Sequence, residues 1–315
     1  MISAYYHPGY AVDIGAHIMP MRKFSMVAQE LSKLPWVKLL TPEPVTEADL
    51  LRVHTPGYIQ AIKTGQPRDL AESQKFPWSK ELWQSVLLTS GGCLAAAKQA
   101  LLDGSAAALV SGFHHSHAER GEGFCTFNGL IVTAEALRAE GRITRISILD
   151  MDLHYGNGTA LLARTRPWVT AVSIYGNDYW QNVAYRDVST PRHEDGENHR
   201  SFPLPAGCDR STLLQIMDQA LPELLRRGRP DLLLYQAGAD PLKFDPYSPL
   251  NLDHADLLAR DRRVFEFARE HDLPIAWVLA GGYTHDTSQV VKVHVNTFEA
   301  WKLVFGGPEP APEGT

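Results

Sequence analysis

The sequence predicts an α/β fold, a single domain on an open parallel β-sheet flanked by helices. Three observations predict it. From about residue 80 onward, short apolar runs rich in β-branched residues alternate with helical patterns. Those runs are near-continuous rather than alternating in polarity, as strands buried on both faces are. Neither an internal repeat nor a linker divides the 315 residues, a length that fits one large domain or two modest ones. A TIM barrel is the rival architecture, because strand count alone does not exclude closure.

The elements come in this order. Residues 3–6 and 37–40 read as strands, with helices near 21–34 and 46–53; this irregular first part completes the same domain. Residues 81–102 read as a helix stopped by Asp103-Gly104. The run 106–111 is a buried strand, 128–140 a helix ending at Gly141, and 145–150 the next strand. Residues 168–174 form another strand, rich in β-branched residues. The amphipathic pattern at 212–227 contains Pro222, which implies a kink or break. Strand 230–236, helix 253–271, strand 274–280 and helix 285–305 close a domain spanning 1–305. The tail 306–315, dominated by Gly, Pro and Glu, is expected to be disordered.

Composition narrows the function classes. The net charge is −6 with no long basic block, so there is no electrostatic footprint for nucleic acid. No wholly apolar run reaches the ~18 residues of a membrane span, and no membrane partner is expected. The first residues lack the basic and apolar regions of a signal peptide. Cys93, Cys125 and Cys208 form no close-spaced pair, which argues against a disulfide scaffold or a cysteine zinc site and for a reducing cytoplasm.

The most informative stretch is the strand 145–150 running into Asp150-Met151-Asp152-Leu153-His154, with glycines at 156 and 158. If the strand continues, alternation puts Asp150, Asp152 and His154 on one side. Two carboxylates and an imidazole crowded together call for a cation. Open α/β sheets bind ligands beyond the carboxyl ends of their strands, so the residues just past each strand are diagnostic. Strand 106–111 leads to Gly112-Phe113-His114-His115-Ser116-His117, strand 230–236 to Ala237-Gly238-Ala239-Asp240-Pro241, and strand 274–280 to Gly281-Gly282-Tyr283. Asp152, His154 and Asp240 make a two-oxygen, one-nitrogen set that leaves a position for water, as in catalytic zinc sites. Zn2+ is the default, and Fe2+ or another divalent ion tolerates the same ligands. Alone, Asp240 before Pro241 also reads as a helix N-cap, and His114-His115 as solvated loop residues. Across from a metal, the two histidines become candidate general acid and base. Asp150 is then placed to accept a hydrogen bond from one imidazole and set its tautomer.

Together these segments resemble the histone deacetylase family, within the arginase/deacetylase fold. The matching runs are Ser111-Gly112-Phe113-His114-His115, Gly121-Glu122-Gly123-Phe124-Cys125, Asp150 to Gly158, Gln236-Ala237-Gly238-Ala239-Asp240 and Ala280-Gly281-Gly282-Tyr283. Their wording is closest to the class IV type and its bacterial relatives. The resemblance implies that Asp152, His154 and Asp240 are the metal ligands. It makes His115 the general base and then acid, His114 its more electrostatic neighbour, and Asp150 the partner of His114. Tyr283 is the implied hydrogen-bond donor to the reacting carbonyl. Gly123 and Phe124 correspond to one wall of the acyl-lysine tunnel, to which Gly282 also belongs. Asp150, Asp152, His154, Ser173 and Ile174 fall where the family holds a structural K+ or Na+. Three positions depart from the pattern. Asn157 stands where many members have an aspartate behind the second histidine, and a neutral partner stabilises an imidazolium less. The opposite wall falls to Tyr179 or Trp180. A basic residue lining an internal release path matches only loosely, to Arg22 or Lys23.

The implied activity is removal of acetyl or other acyl groups from lysine ε-amines of proteins or peptides, by a metal-activated water. A deacetylase of small acylated amines such as acetylpolyamines would use the same chemistry. A binuclear-manganese ureohydrolase needs further bridging ligands, and Asn157 stands where an extra aspartate would be wanted. A catalytically silent acyl-lysine binder would have no use for the intact histidines, tyrosine and ligand set.

Overall fold

The structure, a computed structural model, describes residues 1–178, 183–184 and 196–306. The chain begins with β1 (Ile2–Tyr5), α1 (Lys23–Leu31) and β2 (Val37–Leu40). The short helices α2 (Glu47–Leu50), α3 (Pro56–Thr64) and α4 (Arg68–Ala71) lead to the long α5 (Lys80–Asp103). Next come β3 (Ser105–Ser111), α6 (Gly129–Ala139), β4 (Ile146–Asp150), α7 (Asn157–Ala163) and β5 (Val169–Tyr175). A two-residue ribbon, β6 (Asn177–Asp178) against β7 (Val183–Ala184), stands apart from the main sheet. The remainder is β8 (His199–Pro203), α8 (Arg210–Ala220), β9 (Leu232–Ala237), α9 (His254–Glu270), β10 (Ile275–Leu279) and α10 (Thr287–Phe305).

The main sheet has eight strands in the order β2-β1-β3-β10-β9-β4-β5-β8, and every pairing is parallel. It ends in two edges, β2 and β8, so it is an open sheet and not a barrel. Alternate residues of β10 show why it is apolar throughout. Ile275, Trp277 and Leu279 pack with α1, α8, α9 and α10, whereas Ala276 and Val278 pack with α3, α5 and α6. The order also places the ligand-bearing strand ends together. β3 and β4 are laid down early with a gap between them, and the late strands β10 and β9 fill it.

Local chemistry accounts for the element ends. Ser79 caps α5 by accepting from the Leu82 N–H, and Gly104 ends it in the left-handed region at φ 85°. The Asn128 side chain caps α6 through the Ile131 N–H. Pro222 stops α8 at Ala220, and the chain continues as a 3₁₀ turn over Leu221–Leu225. The Cys93, Cys125 and Cys208 thiols are free and buried.

The structure departs from the sequence expectation in several places. Only one turn of helix, α2, forms within 46–53, closed by a capping box between Thr46 and Asp49. Helices α3, α4 and α7 and the edge strand β8 were not expected. α7 hides behind Gly156 and Gly158, which read as a break. Gly158 lies within α7, and it is a glycine because the chain passes so close to the preceding loop that a Cβ there would stand 2.4 Å from the Ser116 carbonyl oxygen. α5 is long and apolar enough, by length and composition, to cross a membrane. Here it packs on β3, β10 and α6. The expected disordered tail lies outside the described residues from 307 onward.

Candidate active site

β4 ends at Asp150, so Asp152 and His154 are not carried by strand alternation as the sequence suggested. Side chain-to-backbone turns aim them instead. Asp150 Oδ1 accepts the Asp152 N–H at 3.1 Å, and Asp152 Oδ1 accepts the His154 N–H at 2.9 Å. This separates the three side chains. Asp150 Oδ2 faces His114 Nδ1 at 2.6 Å, whereas Asp152 and His154 face Asp240.

Asp240, beyond β9, is fully buried and caps no helix. Its Oδ1 accepts the Leu153 N–H at 3.0 Å, and its Oδ2 lies 3.2 Å from His154 Nδ1. Asp152 Oδ1 is 3.2 Å from the same nitrogen, and Asp152 Oδ2 accepts the Gly281 N–H at 2.8 Å. The three candidate ligand atoms lie within 4.8 Å of one another. Gly281 is required here, because a Cβ would stand 1.9 Å from Asp240 Oδ2. Two buried carboxylates converging on one imidazole nitrogen fit a divalent ion of the zinc type.

The grouping of the three side chains also binds protons more strongly than the free groups do. Burial lowers the His154 pKa, but hydrogen bonds to Asp152 and Asp240 and their charges outweigh that and raise it to about 10. Burial, then the charge of Asp152, raises Asp240 to about 7. A divalent ion must displace such protons, so affinity is expected to fall as pH falls, by about tenfold per unit for each proton displaced. Titration of Zn2+ binding between about pH 6 and 8 checks this, and a pH-independent affinity would contradict it.

His114 and His115 are buried rather than solvated, with ring centroids 3.9 Å apart. Burial lowers the pKa of His114, but Asp150 and Asp152 outweigh it and leave it raised. Burial, then the neighbouring His114 and His154, holds His115 well below the usual range. Its Nδ1 meets Asn157 Oδ1 at 2.6 Å. Two adjacent imidazoles driven apart in this way suit different tasks, the neutral one as base.

Tyr283 is held by its own N–H, which donates to Asp245 Oδ2 at 2.7 Å. Its ring centroid is 6.3 Å from that of His154. Burial, then the charges of Asp152 and Asp240, pushes its phenol well above the usual value, so it remains a donor. A cavity of about 210 Å³ leads to this cluster, lined by Lys75, His115, Gly123, Phe124, His154, Tyr247 and Tyr283. Gly123 and Phe124, at φ 52° and 65°, are the centre of a two-residue turn. Reciprocal hydrogen bonds between Glu122 and Cys125 close that turn. Holding a phenylalanine in the left-handed region is costly and sets its ring on the cavity wall. Gly282 does not line the cavity; at φ 144° it packs against Val290 and Ala239. Tyr179 and Trp180 lie outside the described residues. For the monovalent-ion set, the β4–β5 register puts Asp150 opposite Ser173, with Ile174 next.

Several site residues escaped the sequence reading. Tyr247 and Asp245 sit on the loop after β9, where no periodicity marks them. Lys75 follows α4 in the left-handed region at φ 76°. Lys23, only loosely matched before, is fully buried and donates to the Ala280 carbonyl at 2.7 Å. Burial lowers its pKa to about 8 against the nearby carboxylates. Arg22 points elsewhere, to Thr287 Oγ1 at 3.3 Å.

The histone deacetylase domain profile matches residues 17–298. The chain is 30% identical over 261 residues to the acetylpolyamine amidohydrolase of Burkholderia pseudomallei, covering 81% of this chain and 71% of that one. It is 29% identical over 279 residues to histone deacetylase 2 of Arabidopsis thaliana, covering 86% and 70%. In fold it is similar to the crystal structure of the HDA15 HD domain, with a TM-score of 0.79 at 17% identity and coverage of 95% and 90%.

Proposed function

The chain belongs to the histone deacetylase family, and from that premise we propose that it hydrolyses the side-chain amide of acyl-lysine in proteins or peptides with Zn2+ at the Asp152–His154–Asp240 cluster. The observation that carries the proposal is the cavity of about 210 Å³ that opens onto His154, His115 and Tyr283 together. Its Phe124 wall suits an alkyl stem, and its far end converges on the candidate ligands.

A bound divalent ion would supply polarisation of the amide carbonyl and acidification of a water. The remaining work belongs to the chain. His115, neutral and with Nδ1 committed to Asn157, offers Nε2 to take the water's proton and then passes it to the departing amine. His114, paired with Asp150, holds positive charge beside the developing anion. The Tyr283 hydroxyl donates to the carbonyl oxygen as it becomes an oxyanion. Phe124 and Tyr247 shield the cavity from bulk water.

Lys75 favours an acyl-lysine peptide over an acetylpolyamine. Among the described lining residues it is the one Lys or Arg, and no Asp or Glu accompanies it. A polyamine's remaining ammonium groups would meet a like charge there. Parallel assays on metal-loaded protein decide between these substrates: the peptide is expected to be turned over and the polyamine poorly. The reverse order would move the assignment to small acylated amines, the kind of substrate named for the Burkholderia relative.

Tyr283→Phe is expected to keep its metal and lose on the order of 10²-fold in kcat, as for an oxyanion donor. Metal content and turnover measured on the same preparation check this. Near-normal turnover would remove Tyr283 from the mechanism.

A further inference from the structure

Glu122 lies just outside the catalytic cluster, buried at 8% exposure. It stands immediately before the Gly123-Phe124 wall. Its carboxylate gathers donors. His117 Nε2 approaches Glu122 Oε2 at 2.5 Å, and Arg120 Nη2 approaches it at 3.5 Å. Asn157 Nδ2, the amide end turned away from His115, also lies 3.5 Å from it.

Asn157 is the residue whose orientation matters most to His115. A carboxamide has an accepting end and a donating end. With Oδ1 toward His115 Nδ1, the ring carries its proton on Nδ1 and leaves Nε2 unprotonated. Turned over, Asn157 would present an N–H to Nδ1, favour the proton on Nε2, and abolish the base. The His115 contact tolerates either arrangement, so something else must choose. His117 Nε2 also lies near Asn157 Nδ2, at 3.4 Å, but its hydrogen is committed to Glu122 and it offers no lone pair. Glu122, as a carboxylate, only accepts. It therefore selects the donating end of Asn157 and leaves the accepting end for His115.

We propose that Glu122 is a positioning residue that fixes the orientation of the Asn157 carboxamide and, through it, the tautomer of His115. The carboxylate behind His115 thus stands one residue further back, relayed through the neutral amide of Asn157. It also ties the base to the wall, since Glu122 closes the turn bearing Phe124. The kinetic consequence rests on the acyl-amide hydrolase reading; the tautomer does not.

The test uses E122A, N157D and the E122A/N157D pair in the full chain. Alanine keeps the backbone hydrogen bonds that close the turn, whereas His117 and Arg120 would hold the amide oxygen of a glutamine in the place of Oε2 and so preserve the acceptor. In E122A the acceptor for Asn157 Nδ2 is gone and the released His117 Nε2 hydrogen favours the Asn157 oxygen, so kcat is expected to fall on the order of 10- to 100-fold with KM little changed. In N157D two carboxylates face each other and activity is also expected to fall. The pair should exceed N157D and approach the parent, because a lone carboxylate at position 157 accepts from His115 with one oxygen and from His117 with the other. The same Glu122 substitution thus lowers activity in the parent background and raises it in the N157D background, an inversion that a merely structural role does not produce. If E122A alone fails to fold, N157D against the pair still decides.

Nitrogen-15 NMR of labelled histidines gives a readout independent of turnover: His115 Nε2 should be unprotonated in the parent and partly protonated in E122A. An unchanged tautomer, E122A turnover within about twofold of the parent, or a pair no better than N157D would overturn the proposal. Expected spectra with no hydrolysis of any acyl-amide by the parent would overturn the hydrolase reading and leave the tautomer assignment standing.

Discussion

Asp240→Ala is expected to lose both the bound divalent ion and hydrolytic activity. Asp240 supplies one of the three convergent ligand atoms, and among the described residues no carboxylate beyond Asp152 and Asp240 belongs to that group. Loss of a residue that merely supports a ligand costs about 10- to 100-fold in metal affinity, so loss of the ligand itself should exceed that range. Turnover should fall with occupancy toward background. The alanine also removes the acceptor of the Leu153 N–H. Asp240→Asn is the control, since its amide oxygen retains that hydrogen bond while the anionic ligand is gone. Metal content after dialysis and titration with Zn2+ measure the effect. Full occupancy in either variant would contradict a ligand role.

Arg260→Met is expected to destabilise the fold by about 3–5 kcal/mol, the cost of breaking a buried ion pair from one side. Arg260 on α9 is 1% exposed, and its Nε donates to Asp261 at 2.8 Å. Its Nη1 donates to the Gly238 carbonyl at 2.7 Å and to the Met151 carbonyl at 3.3 Å. Those carbonyls belong to the two loops that carry Asp240 and Asp152. Methionine fills the volume but leaves Asp261 without its cation and both carbonyls without a donor. Asp261 keeps the hydroxyls of Tyr235 and Thr297, so the variant should fold, with weaker metal binding because the ligand loops lose a common tether. Denaturant unfolding and metal titration report the two effects separately. A stability loss below about 1 kcal/mol would show that the pair contributes little beyond its packing.

Much of the fold was legible because its signals are local. A buried strand such as β10 is apolar at every position, a helix such as α5 carries its own cap and its own terminal glycine, and Pro222 breaks α8 wherever the helix packs. β8 escaped notice because it is an edge strand with only alternate residues buried. α7 escaped because Gly158 is there for a close approach to another loop, which looks in sequence like a break. The ligand set was legible because Asp152, His154 and Asp240 all lie just past strand ends. The route by which Asp152 and His154 reach the site was not, since the turns beyond β4 depend on which carboxylate oxygen meets which N–H.

By itself, then, the sequence determined the buried strands and most of the longer helices, the candidate ligands and the histidine pair, all properties of residues and their near neighbours. Only the tertiary structure decided that β10 and β9 slot between β3 and β4, so that four separated loops share one site. It also brought in Lys23, Tyr247, Arg260 and Glu122. Their parts rest on contacts across long stretches of chain, 257 residues between Lys23 and Ala280 and 109 between Arg260 and Met151. Such pairings are set by sheet order and close packing, which no local pattern encodes.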